Sequence, residues 1–221
     1  MNIMDIIGPV MVGPSSSHTA GAVKIGQISR KLLAEPVQQA EICFHGSFLA
    51  PGKGHGTDRA LVAGLLGLAV DDENIPNSFA IAAERNLTFS IHGIDLGDAH
   101  PNTVKMKLTG ESGRTLEIVA ASIGGGQIRI CEIDGLTANF CGEYPTLIVH
   151  NLDQPGHVTE VTSMLAHKSV NIATMQLYRD SRGGNAVMVI ECDQEVPQEA
   201  IRWLEHLEGI EKVTYLSLEE S

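Results

Sequence analysis

The chain has 221 residues, a net charge of −12 and 43% hydrophobic residues, as expected for a soluble globular protein of one or two domains. The acidic balance, with no basic stripe, opposes nucleic-acid binding. No apolar run is long enough to span a bilayer, the N-terminus lacks signal-peptide features, and Cys43, Cys131, Cys141 and Cys192 show no C-x-x-C spacing, so small, buried, reduced thiols in a cytoplasmic protein are expected.

In chain order, residues 3 to 12 form a short apolar lead-in. Next comes Gly13-Pro14-Ser15-Ser16-Ser17-His18-Thr19-Ala20-Gly21, which reads as a turn entering a helix over residues 19 to about 33, with Pro36 as its stop. A helix start needs one capping side chain. Four hydroxyls and an imidazole in five positions exceed that need and suit an anion pocket with a proton-transfer group. Residues 41 to 47 read as a strand. Pro51-Gly52-Lys53-Gly54-His55-Gly56-Thr57-Asp58 then repeats the device of a glycine-rich loop and polar groups before a helix, here residues 59 to 68. Lys53 supplies a fixed charge and His55 a titratable ring. The Walker spacing is absent, which weakens a nucleotide reading.

The middle section alternates like a sheet, with runs at 87–91, 103–108, 115–120, 127–133 and 136–140, the last two forming a hairpin across Asp134-Gly135. His100-Pro101-Asn102-Thr103 lies in a polar connection. Ser122-Ile123-Gly124-Gly125-Gly126 fits either a backbone anion nest or a bulge. After a boundary at 142–145 the order becomes strand, helix, strand, strand, helix, strand, a ferredoxin-like βαββαβ arrangement over residues 146–221. Its first loop, Asn151, Asp153, Gln154, Pro155, Gly156, His157 and Val158 among its residues, leads into a helix start. It offers backbone N–H groups for a carboxylate, and Asp153 for an ammonium group. His45, His92, His150, His167 and His206 read as scattered structural residues.

The serine–histidine turn, the Gly52-Lys53-Gly54-His55-Gly56-Thr57-Asp58 loop, His100-Pro101-Asn102-Thr103 and Ser122 to Gly126 stand in the order of the beta chain of iron-sulfur-dependent L-serine dehydratase, which residues 1–142 resemble. The tail resembles an ACT domain. The resemblance implies an α+β protein, with an α/β beta-chain domain at 1–142 followed by a ferredoxin-like ACT regulatory domain at 146–221. It also implies conversion of L-serine to pyruvate and ammonia, with a [4Fe-4S] cluster held by a separate alpha chain, because the four cysteines here are dispersed over both domains. His18 and His55 would be the proton-transfer candidates, the choice of base between them open. Ser15, Ser16, Ser17, Thr19, Lys53, His100 and Asn102 would hold the substrate, and the 151–158 loop an amino-acid effector. Such modules pair edge to edge, which implies a homo-oligomer through the tail. One departure stands at Pro51, where the resemblance leads to threonine. The rival reading is a non-catalytic amino-acid sensor akin to the serine-binding domain of phosphoglycerate dehydrogenase.

Overall fold

Ala22, Val23, Ile25, Ile28, Leu32 and Leu33 recur at helical spacing and are all buried along one side of α1 (Gly21–Leu33). The structure is a computed structural model and describes residues 15–49 and 56–218, so the apolar lead-in at 3 to 12 lies outside the described residues. α1 ends at Ala34, whose left-handed backbone (φ 63°) turns its N–H onto the carbonyls of Arg30 and Lys31, two residues before Pro36. β1 (Val37–Phe44) begins earlier than the sequence pattern suggests. Val37 and Ala40 are buried with Ile42 and Phe44, while the polar pair Gln38 and Gln39 interrupts the alternation.

α2 (Thr57–Leu65) and α3 (Ser78–Glu84) return the chain to β2 (Thr88–Gly93), which pairs parallel to β1. β3 (Thr103–Gly110) pairs antiparallel to β1 on the other side, followed by β4 (Thr115–Gly124), β5 (Gln127–Ile133) and, across the Asp134–Gly135 turn, β6 (Leu136–Phe140). The sheet order is β2-β1-β3-β4-β5-β6. α1 packs on β3, β4 and β5. It also crosses α2 at two glycines that bring the helix backbones together. A Cβ on Gly26 would lie 2.5 Å from the Leu61 carbonyl oxygen, and one on Gly64 2.1 Å from that of Val23. Only glycine permits this approach.

The chain divides into two compact units after Asp134, in the β5–β6 turn. In the second unit β7 (Thr146–Leu152), α4 (His157–His167), β8 (Ile172–Arg179), β9 (Asn185–Cys192), α5 (Gln198–Glu205) and β10 (Ile210–Leu216) follow in sequence. The sheet order β10-β7-β9-β8 is that of the expected ferredoxin-like fold. Its core joins Leu147, Val149, Met188, Ile190 and Val213 of the strands to Val161, Leu165 and Leu204 of the helices. Among the described residues no helix is long and apolar enough to cross a membrane.

Candidate functional site

The site begins where Ser15 leaves the extended conformation (φ −140°, ψ 123°) and Ser16–Ala20 form one wide π-type turn that runs directly into α1. Ser15 caps this turn. Its Oγ accepts from the His18 backbone N–H at 3.2 Å, and its carbonyl accepts from the Thr19 N–H at 2.9 Å. The same Oγ lies 3.3 Å from His18 Nδ1, and His18 Nε2 lies 3.4 Å from the Ser47 carbonyl oxygen. A carbonyl only accepts, so the contact to Ser47 is a hydrogen bond when Nε2 carries the proton, whereas the Ser15 hydroxyl can serve Nδ1 as donor or acceptor. Phe48 meets the ring edge-on at 5.5 Å and is itself backed edge-on by Phe44 at 5.8 Å.

Residues 45–47 also tie His18 to the 100–103 connection. The His45 N–H donates to the Thr103 carbonyl at 2.9 Å and the Ser47 N–H to the Pro101 carbonyl at 2.7 Å. Within that connection, the Asn102 N–H donates to His100 Nδ1 at 3.1 Å and the Thr103 hydroxyl to the His100 carbonyl at 2.6 Å. One assembly therefore brings together Ser15, Ser16, Ser17, His18 and Thr19 with His100 and Asn102. Ser47 and Phe48 complete it and were not singled out in the sequence, since a backbone carbonyl and a ring neighbour leave no motif. Lys53 and His55, with the departure at Pro51, lie outside the described residues.

The open question at Ser122 to Gly126 resolves locally as a bulged hairpin turn. The β4–β5 register shifts between Ser122 and Gly124, and Gly124, Gly125 and Gly126 all have positive φ.

The four thiols do not make a ligand set for an iron-sulfur cluster. Among the described residues no three His, Cys, Asp or Glu side chains converge to hold a metal. Burial raises the pKa of every one of the cysteines, and Cys192, with Asp193 and Glu195 adding repulsion, is pushed up to about 11. Cluster ligation needs thiols that converge on one point, and these four stand apart on β1, β5, the end of β6 and β9. Only Cys192 is the fully buried hydrophobe expected of all four. Cys43, Cys131 and Cys141 occupy half-covered positions on β1, on β5 and just after β6.

In the second unit, the turn between β7 and α4 is residues 153–156, with Asn151 at the end of β7 and His157 and Val158 in the first turn of α4. Asp153 is already engaged there: its Oδ2 accepts from the Gly183 N–H at 3.0 Å and from Arg179 Nη1 at 2.9 Å. Those two contacts, the backbone N–H first, hold its carboxyl below the usual carboxylate range. The Asp153 and Leu152 N–H groups donate to the carbonyls of Gly184 and Gly209. Asn151 Oδ1 and His157 Nε2 are buried without a hydrogen-bond partner among the described residues, while His157 Nδ1 lies 3.3 Å from Glu160. Gln154, Pro155 and Gly156 form the loop's outer part, and Val158 is exposed in the first turn of α4. Arg179 and Gly183 escaped the sequence reading because they sit on a hairpin distant in the chain.

A family model described as "Serine dehydratase beta chain" matches residues 2–86. A probable L-serine dehydratase beta chain of Bacillus subtilis (strain 168) is 38% identical over 216 residues, 98% of each chain. The L-serine dehydratase beta chain of Peptoniphilus asaccharolyticus is 37% identical over 195 residues, 88% of each chain. A D-3-phosphoglycerate dehydrogenase of Bacillus subtilis is 30% identical over 201 residues, which is 89% of this chain but 37% of that enzyme. From the near end-to-end match, carried over both units, the chain belongs to the L-serine dehydratase beta-chain family.

Proposed function

We propose that this chain is the beta subunit of a two-chain L-serine dehydratase, an L-serine ammonia-lyase acting in the cytoplasm, and that a separate alpha chain holds the [4Fe-4S] cluster. The observation that carries this reading is the 38% identity over 98% of both this chain and a probable L-serine dehydratase beta chain. The dispersed thiols support the placement of the cluster on the partner. The sensor alternative rests on the 30% similarity to part of phosphoglycerate dehydrogenase and accounts for less of the match.

The reaction removes the α-proton of L-serine and expels the β-hydroxyl, which leaves as water after taking up a proton. The resulting 2-aminoacrylate tautomerises to an imine, which water hydrolyses to pyruvate and ammonia. In this chain His18 is the proton-transfer group with a described environment, its Nδ1 facing the Ser15 hydroxyl at 3.3 Å. His55 is the second candidate. Ser15, Ser16, Ser17, Thr19, Lys53, His100 and Asn102 would hold the substrate beside it.

For the tail we assign a regulatory role over residues 146–221, with the beta domain ending near residue 142 because β6 completes the β5 hairpin. The 151–158 loop would take a small amino acid. The edge strands β8 and β10 leave unpaired backbone groups through which two copies can join as a homodimer. Anaerobic co-expression with the alpha chain and a pyruvate assay tests the whole reading. Pyruvate should form only with both chains present. A stable stoichiometric [4Fe-4S] cluster on this chain alone would overturn the two-chain assignment.

A further inference from the structure

Ser122 is fully buried, and among the described residues its hydroxyl has no hydrogen-bond partner. An unpaired buried hydroxyl opposes folding, so a site that keeps one calls for a group that pairs with it. The Ser122 N–H donates to the Asn102 carbonyl at 3.0 Å, and β3 and β4 pair Thr103 with Ala121 next door, so Ser122 and Asn102 stand opposite each other with side chains on one sheet face. Asn102 Oδ1 is likewise buried and unpartnered. α1 covers this face closely: a Cβ on Gly21 would fall 2.1 Å from Ser122 Oγ, two residues beyond Thr19, whose buried hydroxyl is also unpartnered. Asn102 itself is half-buried, so the pair reaches from the surface to the floor beneath the His18 turn.

The geometry points to Ser122 as a substrate-binding residue, its hydroxyl joining Asn102 Oδ1 to receive the ammonium group of an L-α-amino acid. This rests on the dehydratase reading and names which substrate group this floor holds. A carboxylate would meet Asn102 Oδ1 acceptor to acceptor. An ammonium brings three N–H donors, which suit both the acceptor-only Asn102 Oδ1 and the lone pairs of the Ser122 hydroxyl.

The test is Ser122→Ala in the complex with the alpha chain. KM for L-serine should rise about tenfold or more with kcat changed only a few-fold. Inhibition by 3-hydroxypropanoate, which lacks the amine, should be unchanged, and the melting temperature should not fall, because an unpaired hydroxyl is removed. An unchanged KM, equal weakening of the des-amino analogue, or a lower melting temperature with loss of both ligands would overturn the assignment. If the parent complex makes no pyruvate, the dehydratase reading fails instead. Calorimetry with L-serine on parent and variant then still decides, tenfold weaker binding supporting the role of Ser122 and equal affinity overturning it.

Discussion

His18 stands between a hydroxyl that can donate or accept and a carbonyl that only accepts, and its two neighbours have separable consequences. His18→Ala should lower kcat by about two orders of magnitude, as for a lost proton-transfer group, with assembly of the complex retained by gel filtration. Ser15→Ala removes the cap as well as the contact to Nδ1, and should cost about 1 kcal/mol in urea unfolding. Cys192 offers a different test. Its thiol is ordinary (9.0) in the unfolded chain and pushed up to about 11 when folded. Its contribution is therefore complete below pH 9 and is lost as pH rises toward 11. Over that window the parent should lose stability more steeply than Cys192→Ala, whose packing deficit does not vary with pH.

Between elements, the Asp153 carboxylate fastens the β7–α4 loop to the β8–β9 hairpin through Arg179 and Gly183. Its pKa is depressed, so the clasp is complete above the ordinary value of 3.8 and is lost as pH falls below it. The difference in urea midpoint between the parent and Asp153→Asn should hold steady from neutral pH down to about pH 5 and vanish in stronger acid. The loop was legible in the sequence because Pro155 and Gly156 precede an amphipathic pattern; the clasp was not, because its partners lie across a hairpin. The same division runs through the first unit. Helical spacing from Ala22 to Leu33 and strand alternation in β3 and β5 announced their elements, whereas the early start of β1 was masked by Gln38 and Gln39. The serine–histidine turn was visible as chemistry in excess of capping. Ser47 and Phe48 acquire their roles only when β1 delivers them to His18.

For the whole molecule, the two-chain reading predicts that this chain purified without oxygen is colourless and inactive, and gains a brown chromophore and pyruvate formation only with its partner. Light scattering should find the chain dimeric, and calorimetry with a panel of amino acids should find one that binds at millimolar concentration or tighter. Dimer without binding would leave the tail as an assembly element. The crossing of α1 and α2 has a further consequence for how this enzyme would tolerate change. α1 starts at the His18 turn, and α2 starts at Thr57, directly after the segment that carries Lys53 and His55. α1, which begins at the His18 turn, is thus held against α2 at Gly26 and Gly64, as by the jaws of calipers. A single methyl group at either glycine would open the calipers, tilt the His18 turn that α1 carries and recalibrate turnover without removing any chemical group.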